Sequence, residues 1–142
     1  MKILYCWTDG GCSGQASGKL YNERKMIWVV TDQMGDVIVE RTDETGGSNN
    51  IAEILAMHDA IDYAIKNQYE AICITTDSMI GKHWIDCWVS NSKKLLGKNL
   101  NNHEKTEQLL SHIATMAKDI SLFIRWQPRE VNLAGQYIEN KF

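Results

Sequence analysis

The chain has 142 residues, of which 44% are hydrophobic and 23% are charged, a composition typical of one globular domain spanning residues 1–142. The net charge of −3 and the pI of about 5.8 argue against a protein that holds nucleic acid by bulk positive charge, although they leave room for a local basic rim. No apolar run approaches the ~20 residues of a membrane span, and the N-terminal apolar run is too short for a signal peptide, so we expect a cytoplasmic protein with no membrane partner.

The hydrophobic pattern predicts secondary structure in the order β-β-β-α-β-α-α-β-α. Strands are predicted at 3–8, 25–31, 37–42, 71–76 and 121–126, where short apolar runs are rich in β-branched and aromatic residues. Helices are predicted at 50–66, 78–89, 103–118 and 130–140, where apolar residues recur at helical spacing. The glycine-rich stretch 9–18 and the polar stretch 91–102 are predicted to be loops. This order predicts an α/β fold with a mixed sheet flanked by helices.

Three carboxylates lie at positions where folding can bring them together. Asp9 ends the first strand, Glu53 lies early in the first helix, and Asp77 ends the fourth strand. Sites in open α/β sheets form beyond the carboxyl ends of the strands. Carboxylate oxygens without a neighbouring His or Cys favour Mg²⁺ or Mn²⁺ over zinc. The pattern therefore indicates a metal centre for phosphodiester hydrolysis, in which two ions ~4 Å apart activate water and stabilise the leaving oxygen.

Each aspartate also has a structural explanation. Asp9-Gly10 is a common turn dipeptide, and either Asp77 or Ser78 suits the N-cap of the following helix. These roles are compatible with metal binding, so both explanations stay open.

Glu53 has the most specific structural alternative. If Asn50 is an N-cap, Glu53 occupies the third helical position and completes a capping box. However, Glu53 shares one side of the helix with Met57, Ala60 and Ala64, which are apolar or small. A carboxylate buried on that side without a partner costs several kcal/mol, and a cation shared with the two aspartates would supply the partner.

Four segments in this order resemble the type 1 ribonuclease H family over almost the whole chain. They are TDGGCSG at 8–14, SNNIAEILA at 48–56, ITTDS at 74–78 and WQPREVN at 126–132. The resemblance implies a five-stranded mixed sheet with strand order 3-2-1-4-5 and Mg²⁺-dependent endonucleolytic cleavage of the RNA strand of RNA–DNA hybrids. It also implies that Asp9, Glu53 and Asp77 are the catalytic metal ligands, with Mn²⁺ as a possible substitute ion.

The same resemblance implies that the chain contacts an RNA–DNA hybrid, which is its expected partner. We expect the protein to be a monomer that needs no other protein. Backbone amides and ribose 2′-hydroxyls, which distinguish RNA from DNA, are expected to take part. The residues at the matching positions are Gly11, Cys12, Gln15, Asn49 and Ser78. An alternative interpretation makes Asn49 and Asn50 loop and cap residues only.

The final helix departs from the family pattern. The family usually has a fourth acid four residues after the Asn of this helix, and counting from Asn132 reaches Gln136. We hypothesise that Gln136 coordinates metal weakly, or that Glu139 reaches the site from one turn later. The alternative is that Asn132, Gln136 and Glu139 form a solvated helix face.

Two further features of the family are reduced in this chain. The loop before the last helix lacks the His that many members carry, and only Lys93, Lys94 and Lys98 stand where many relatives have a basic, Trp-rich segment. The four histidines fall in predicted helices and are interpreted as surface or core residues: His58, His83, His103 and His112. Because of these departures, the alternative stays open that the chain is a weakly active or inactive module that binds hybrid or double-stranded RNA. A metal nuclease of the same fold with a DNA substrate is a third possibility.

Overall fold

The structure, a computed structural model, describes residues 2–12, 25–43, 47–90 and 103–141. Within these ranges the elements follow the predicted order. The strands are β1 (Ile3–Cys12), β2 (Met26–Asp32), β3 (Val37–Asp43), β4 (Ala71–Thr76) and β5 (Ser121–Trp126). The helices are α1 (Asn49–Lys66), α2 (Met79–Val89), α3 (His103–Met116) and α4 (Leu133–Lys141), and a 3-10 helix at Arg129–Val131 precedes α4. None of the helices in the described ranges has the length and apolar character that crossing a membrane requires.

The strands form one sheet with the order β3-β2-β1-β4-β5, which confirms the predicted mixed sheet. The central strand β1 pairs antiparallel with β2 and parallel with β4. The hairpin of β2 and β3 lies on one side of β1, and the parallel pair of β4 and β5 lies on the other. This topology brings the carboxyl ends of β1 and β4 to the same edge of the sheet.

The long helix α1 supplies much of the hydrophobic core. Met57, Ala60 and Ala64 are completely buried, as the helical wheel drawn through Glu53 predicts. They belong to a core cluster that also contains inward-facing residues of β1, β4, α2 and α3. Burial of this helix face at ~25 cal/mol per Å² fixes how α1 lies on the sheet, and therefore where its first turns point.

Two boundaries differ from the sequence prediction by three residues or more, and the others agree within two residues. The predicted loop beginning at Asp9 is wrong for residues 9–12, because β1 continues to Cys12 and pairs there with Met26 of β2. The last helix was predicted from residue 130 but begins at Leu133, because Asn132 caps it and the preceding residues form the 3-10 helix. The predicted loop at 91–102 lies outside the described residues.

Candidate metal centre

The register of the sheet sets Asp9 and Asp77 side by side. Thr8 of β1 pairs with Thr76 of β4 in a parallel ladder. The residues that follow them, Asp9 and Asp77, therefore lie at the same edge of the sheet. Asp9 continues in β1 opposite Val29 of β2, whereas Asp77 follows the end of β4 as the chain turns into α2. Strand pairing alone therefore brings these two acids together.

A close contact between α1 and β1 brings Glu53 to the two aspartates. A Cβ atom at Gly10 would lie 2.7 Å from the backbone nitrogen of Glu53 and still closer to the carbonyl group of Ala52. Only glycine permits this approach, because any side chain would push the helix away from the strand. Gly10 is therefore a structural part of the site, although it presents no functional group.

The start of α1 decides between the two explanations of Glu53. The N-cap is Ser48, whose hydroxyl accepts a hydrogen bond from the backbone N–H of Ile51 at 3.2 Å. The capping-box alternative with Asn50 as N-cap is wrong, because the helix begins at Asn49 and Glu53 lies beyond the capping positions. Glu53 is thus free of that structural role.

Asp9, Glu53 and Asp77 form a compact acidic cluster. One carboxylate oxygen from each lies within 4.8 Å of the others. Asp9 is only 2% exposed, and the other two side chains are half-buried. Oδ1 of Asp9 and Oε2 of Glu53 are buried without a hydrogen-bond partner. Since such oxygens are costly to bury alone, the cluster fits a hard divalent cation such as Mg²⁺ or Mn²⁺.

Burial raises the pKa of all three carboxyl groups, and negative charges within the cluster raise the pKa of Glu53 and Asp77 further. For Asp9 the cause is burial, which the hydrogen bond with Glu53 only partly offsets. Burial and the charges of Asp9 and Asp77 hold the pKa of Glu53 well above its usual range. Burial and the charge of Asp9 raise the pKa of Asp77 to about 6. Protons therefore compete with a metal ion for this cluster near neutral pH.

A basic side chain faces the cluster from the 3-10 helix after β5. Burial raises the pKa values of Asp9 and Asp77, and the nearby Arg129 guanidinium partly offsets this effect. The Arg129 side chain is 58% exposed, and its Nε donates to Oε1 of Glu139 at 3.3 Å. Arg129 was not among the site residues predicted from the sequence, although it belongs to the WQPREVN segment, which could have indicated it.

The first turn of α4 lies directly against Asp9. Asn132 is fully buried, donates from Nδ2 to the carbonyl oxygen of Thr8 at 3.0 Å, and accepts from the backbone N–H of Gly135 through Oδ1 at 3.0 Å. A Cβ atom at Gly135 would lie 3.2 Å from Oδ2 of Asp9. Asn132 therefore fixes α4 to the strand that carries the first acid, and sequence reasoning missed that Gly135 is the helix residue beside it.

The comparison with known families agrees with this geometry. The RNase H family model matches residues 1–128, a range that includes all three acids and ends before α4. The chain belongs to the ribonuclease H family. Over 100 residues it is 32% identical to a ribonuclease H of Paracoccus denitrificans (strain Pd 1222), in a match that covers 66% of this chain and 59% of that protein. The chain thus spans less than two thirds of the length of this relative.

Solved ribonuclease H structures share the fold of the chain. LC11-RNase H1, isolated from compost by a metagenomic approach, is 21% identical with a TM-score of 0.60, and the match covers 99% of this chain and 98% of the other. LC11-RNase H1 in complex with an RNA/DNA hybrid is 19% identical with a TM-score of 0.54, covering 91% and 88%. At these identities the similarity establishes the fold.

Gln136 and Glu139, the two candidates for the fourth position, both lie on α4. Gln136 is exposed, and its Nε2 donates to the backbone carbonyl oxygen of Glu130 at 2.9 Å. Glu139 is 61% exposed and pairs with Arg129, although its charge contributes to the raised pKa of Asp9. Among the described residues, the acidic cluster does not include Glu139, and the side-chain amide of Gln136 contacts the carbonyl oxygen of Glu130. Their catalytic roles stay predictions.

Of the residues that the ribonuclease H resemblance assigns to the hybrid, the four that the structure describes lie at the end of β1, the start of α1 and the start of α2. The backbone N–H of Cys12 donates to Oδ1 of Asn49 at 2.8 Å, which joins the end of β1 to the start of α1. A Cβ atom at Gly11 would meet nothing within 4 Å. Ser78 is the N-cap of α2 and accepts from the N–H of Gly81 at 2.9 Å. Gln15 lies outside the described residues, and contact with a hybrid stays a prediction for all five.

Proposed function

We propose that this member of the ribonuclease H family is a divalent-metal-dependent endonuclease that hydrolyses the RNA strand of RNA–DNA hybrids. The observation that carries the proposal is the acidic cluster, whose three carboxylates lie within 4.8 Å on a ribonuclease H fold. The substrate is supported by the relatives, since the Paracoccus protein is named ribonuclease H and LC11-RNase H1 forms a complex with an RNA/DNA hybrid.

The metal-binding role falls to Asp9, Glu53 and Asp77. Their donor atoms are all carboxylate oxygens, which suit Mg²⁺ or Mn²⁺. Bound ions of this kind supply charge stabilisation at the phosphate and a nucleophilic water at neutral pH. The three side chains orient the ions and must lose their protons to do so, so we expect activity to rise with pH through the titration of the cluster.

Three neighbouring groups are assigned to the nucleic acid. The exposed Arg129 guanidinium beside the cluster can pair with a phosphate next to the bond that is cut. Gly11 leaves open space at the end of β1, where a ribose can approach the backbone. The Cys12 segment is held by Asn49, so this backbone is positioned before the hybrid arrives.

We favour Glu139 over Gln136 as the substitute for the missing fourth acid. Its charge already acts on Asp9, and its ion pair with Arg129 is exposed, so the pair costs little to break. The amide of Gln136 instead hydrogen-bonds to the carbonyl group of Glu130. In this proposal Glu139 is released when Arg129 turns to the phosphate.

The proposal is tested with end-labelled RNA–DNA hybrid, duplex RNA and duplex DNA, each incubated with the protein in Mg²⁺ or Mn²⁺. We expect cleavage of the RNA strand in the hybrid alone. Asp9→Asn should abolish it, because the most buried ligand loses its charge. Asp119→Asn, a matched change at an exposed turn position, should leave it intact.

Two results would contradict the proposal. Binding of hybrid without cleavage in either metal would favour the inactive binding module, for which the altered fourth position is the specific observation. Equal cleavage of duplex DNA would favour a nuclease with another substrate.

A further inference from the structure

A second polar cluster joins α1 to α3, away from the acidic centre. Nε2 of His58 on α1 lies 2.7 Å from Nδ1 of His112 on α3, and the ring centroids are 4.8 Å apart. On its other side, Nδ1 of His58 lies 3.0 Å from Oδ1 of Asp59. Glu53 and His58 project from α1 in directions about 140° apart, so the two clusters use different faces of this helix.

Asp59 is held in place by two neighbouring strands. Nε1 of Trp28 donates to Oδ2 of Asp59 at 2.8 Å, and Nε of Arg41 lies 3.4 Å from the same oxygen. Burial raises the pKa of Asp59, but the hydrogen bonds from His58 and Trp28 and the charge of Arg41 outweigh it and lower the pKa below its usual value. The side chains of His58 and Asp59 are 17% and 18% exposed. A charged, largely buried carboxylate therefore fixes the His58 ring.

This carboxylate determines which nitrogen of His58 carries the proton. A charged Asp59 accepts from Nδ1–H, so the neutral ring presents the lone pair of Nε2. That nitrogen faces Nδ1 of His112 at 2.7 Å, a separation at which the two rings share one proton in a hydrogen bond. Histidines that bind metals commonly donate their second ring N–H to a carboxylate, as His58 does here.

We propose that His58 and His112 form a binding site for a transition-metal ion such as Zn²⁺, in which the ion replaces the shared proton. Imidazole nitrogens select zinc, nickel or copper, whereas the carboxylate oxygens of the acidic centre select magnesium or manganese. The two sites therefore differ in chemistry as well as in position. The second site rests on its own contacts and does not depend on the proposed nuclease activity.

Only a small movement is needed to accept the ion. With Zn–N bonds of ~2.0–2.1 Å and a tetrahedral angle, the two nitrogens must lie about 3.3 Å apart. The observed separation is 2.7 Å, and His112 is exposed, so rotation of its side chain provides the difference. Water can fill the remaining positions because the site is open on the His112 side. The bound ion links α1 to α3.

The test is calorimetric titration of the protein with Zn²⁺ in excess Mg²⁺, which competes with zinc for carboxylate oxygens. We expect one saturable site that His112→Gln weakens at least about tenfold, and Asp59→Asn by about 10–100-fold, as for other carboxylates behind metal-binding histidines. The matched control is His83→Gln, which removes an exposed imidazole 3.7 Å from Sγ of Cys87 and should leave this site unchanged.

Thermal unfolding gives a second readout that does not involve cleavage. Zn²⁺ should raise the Tm of the wild-type protein and of His83→Gln, but not that of His112→Gln, because only a bound ion stabilises the folded state by mass action. Melting without zinc checks that His112→Gln folds. Equal zinc affinity in wild type and His112→Gln would overturn the proposal, and so would loss of binding in His83→Gln alone.

Discussion

Replacing Asp77 with asparagine should stabilise the metal-free protein. The carboxyl group has a pKa of about 6 in the folded chain against an ordinary value of 3.8, because of its burial and the charge of Asp9. A difference of about 2 pH units corresponds to about 3 kcal/mol of lost stability for a fully shielded group. Asp77 is only half-buried, so solvent screening reduces the expected gain of Asp77→Asn to about 1–1.5 kcal/mol at pH 8.

The pH dependence follows from the direction of the shift. The folded protein binds the Asp77 proton more tightly than the unfolded chain, so this residue costs stability as pH rises from 3.8 to about 6. The gain from Asp77→Asn should therefore be complete above pH 6 and vanish near pH 4. Excess Mg²⁺ should reverse the order, because ion binding stabilises the wild type more than the variant.

Urea unfolding in EDTA and in excess Mg²⁺, measured between pH 4 and 8, tests this reasoning. The control is Asp119→Asn, which removes a carboxylate from an exposed turn and should change stability by less than about 0.5 kcal/mol. The reasoning is refuted if Asp77→Asn is no more stable than the wild type in EDTA at pH 8. It is also refuted if the variant keeps the same advantage in Mg²⁺.

Three further predictions concern the surroundings of the cluster. Gly10→Ala should cost at least about 2 kcal/mol in chemical unfolding, because its Cβ would collide with the backbone of α1 at Glu53; a neutral effect would contradict the close contact. Gln136→Asp should raise the cleavage rate or lower the Mg²⁺ requirement, whereas unchanged kinetics would argue against a role for this position. Arg129→Gln should raise KM for the hybrid, and it should reduce the salt dependence of hybrid binding by the amount expected for about one phosphate contact. An unchanged salt slope would show that Arg129 does not bind phosphate.

The sheet and the acidic cluster were predictable because the signals are local and the pairing is regular. Asp9 and Asp77 each end a run of apolar, β-branched residues, and parallel pairing of Thr8 with Thr76 then places them side by side. Glu53 was predictable from the helical wheel, since the other residues on its side are buried. The ends of strands β1 and β4 and the helical periodicity of α1 therefore predict where these three side chains lie.

Features that depend on contacts between distant segments escaped prediction. β1 runs through two glycines to Cys12, because pairing with β2 and contact with α1 outweigh the turn preference of Asp9-Gly10. Gly135 beside Asp9 was also missed, because a glycine carries no chemical signal and its place depends on how Asn132 fixes α4.

The histidine pair was missed for a related reason. His58 and His112 are more than fifty residues apart, and each alone is an ordinary helix residue. Only the packing of α3 on α1 brings the rings together, and only the contact of Asp59 with β2 and β3 shows how they are oriented.

The central claim is that three carboxylates share a metal ion, and anomalous diffraction from crystals grown in Mn²⁺ tests it most directly. We predict a manganese peak within coordination distance of carboxylate oxygens of Asp9, Glu53 and Asp77. A well-ordered crystal at saturating Mn²⁺ with no peak among these three side chains would contradict the account.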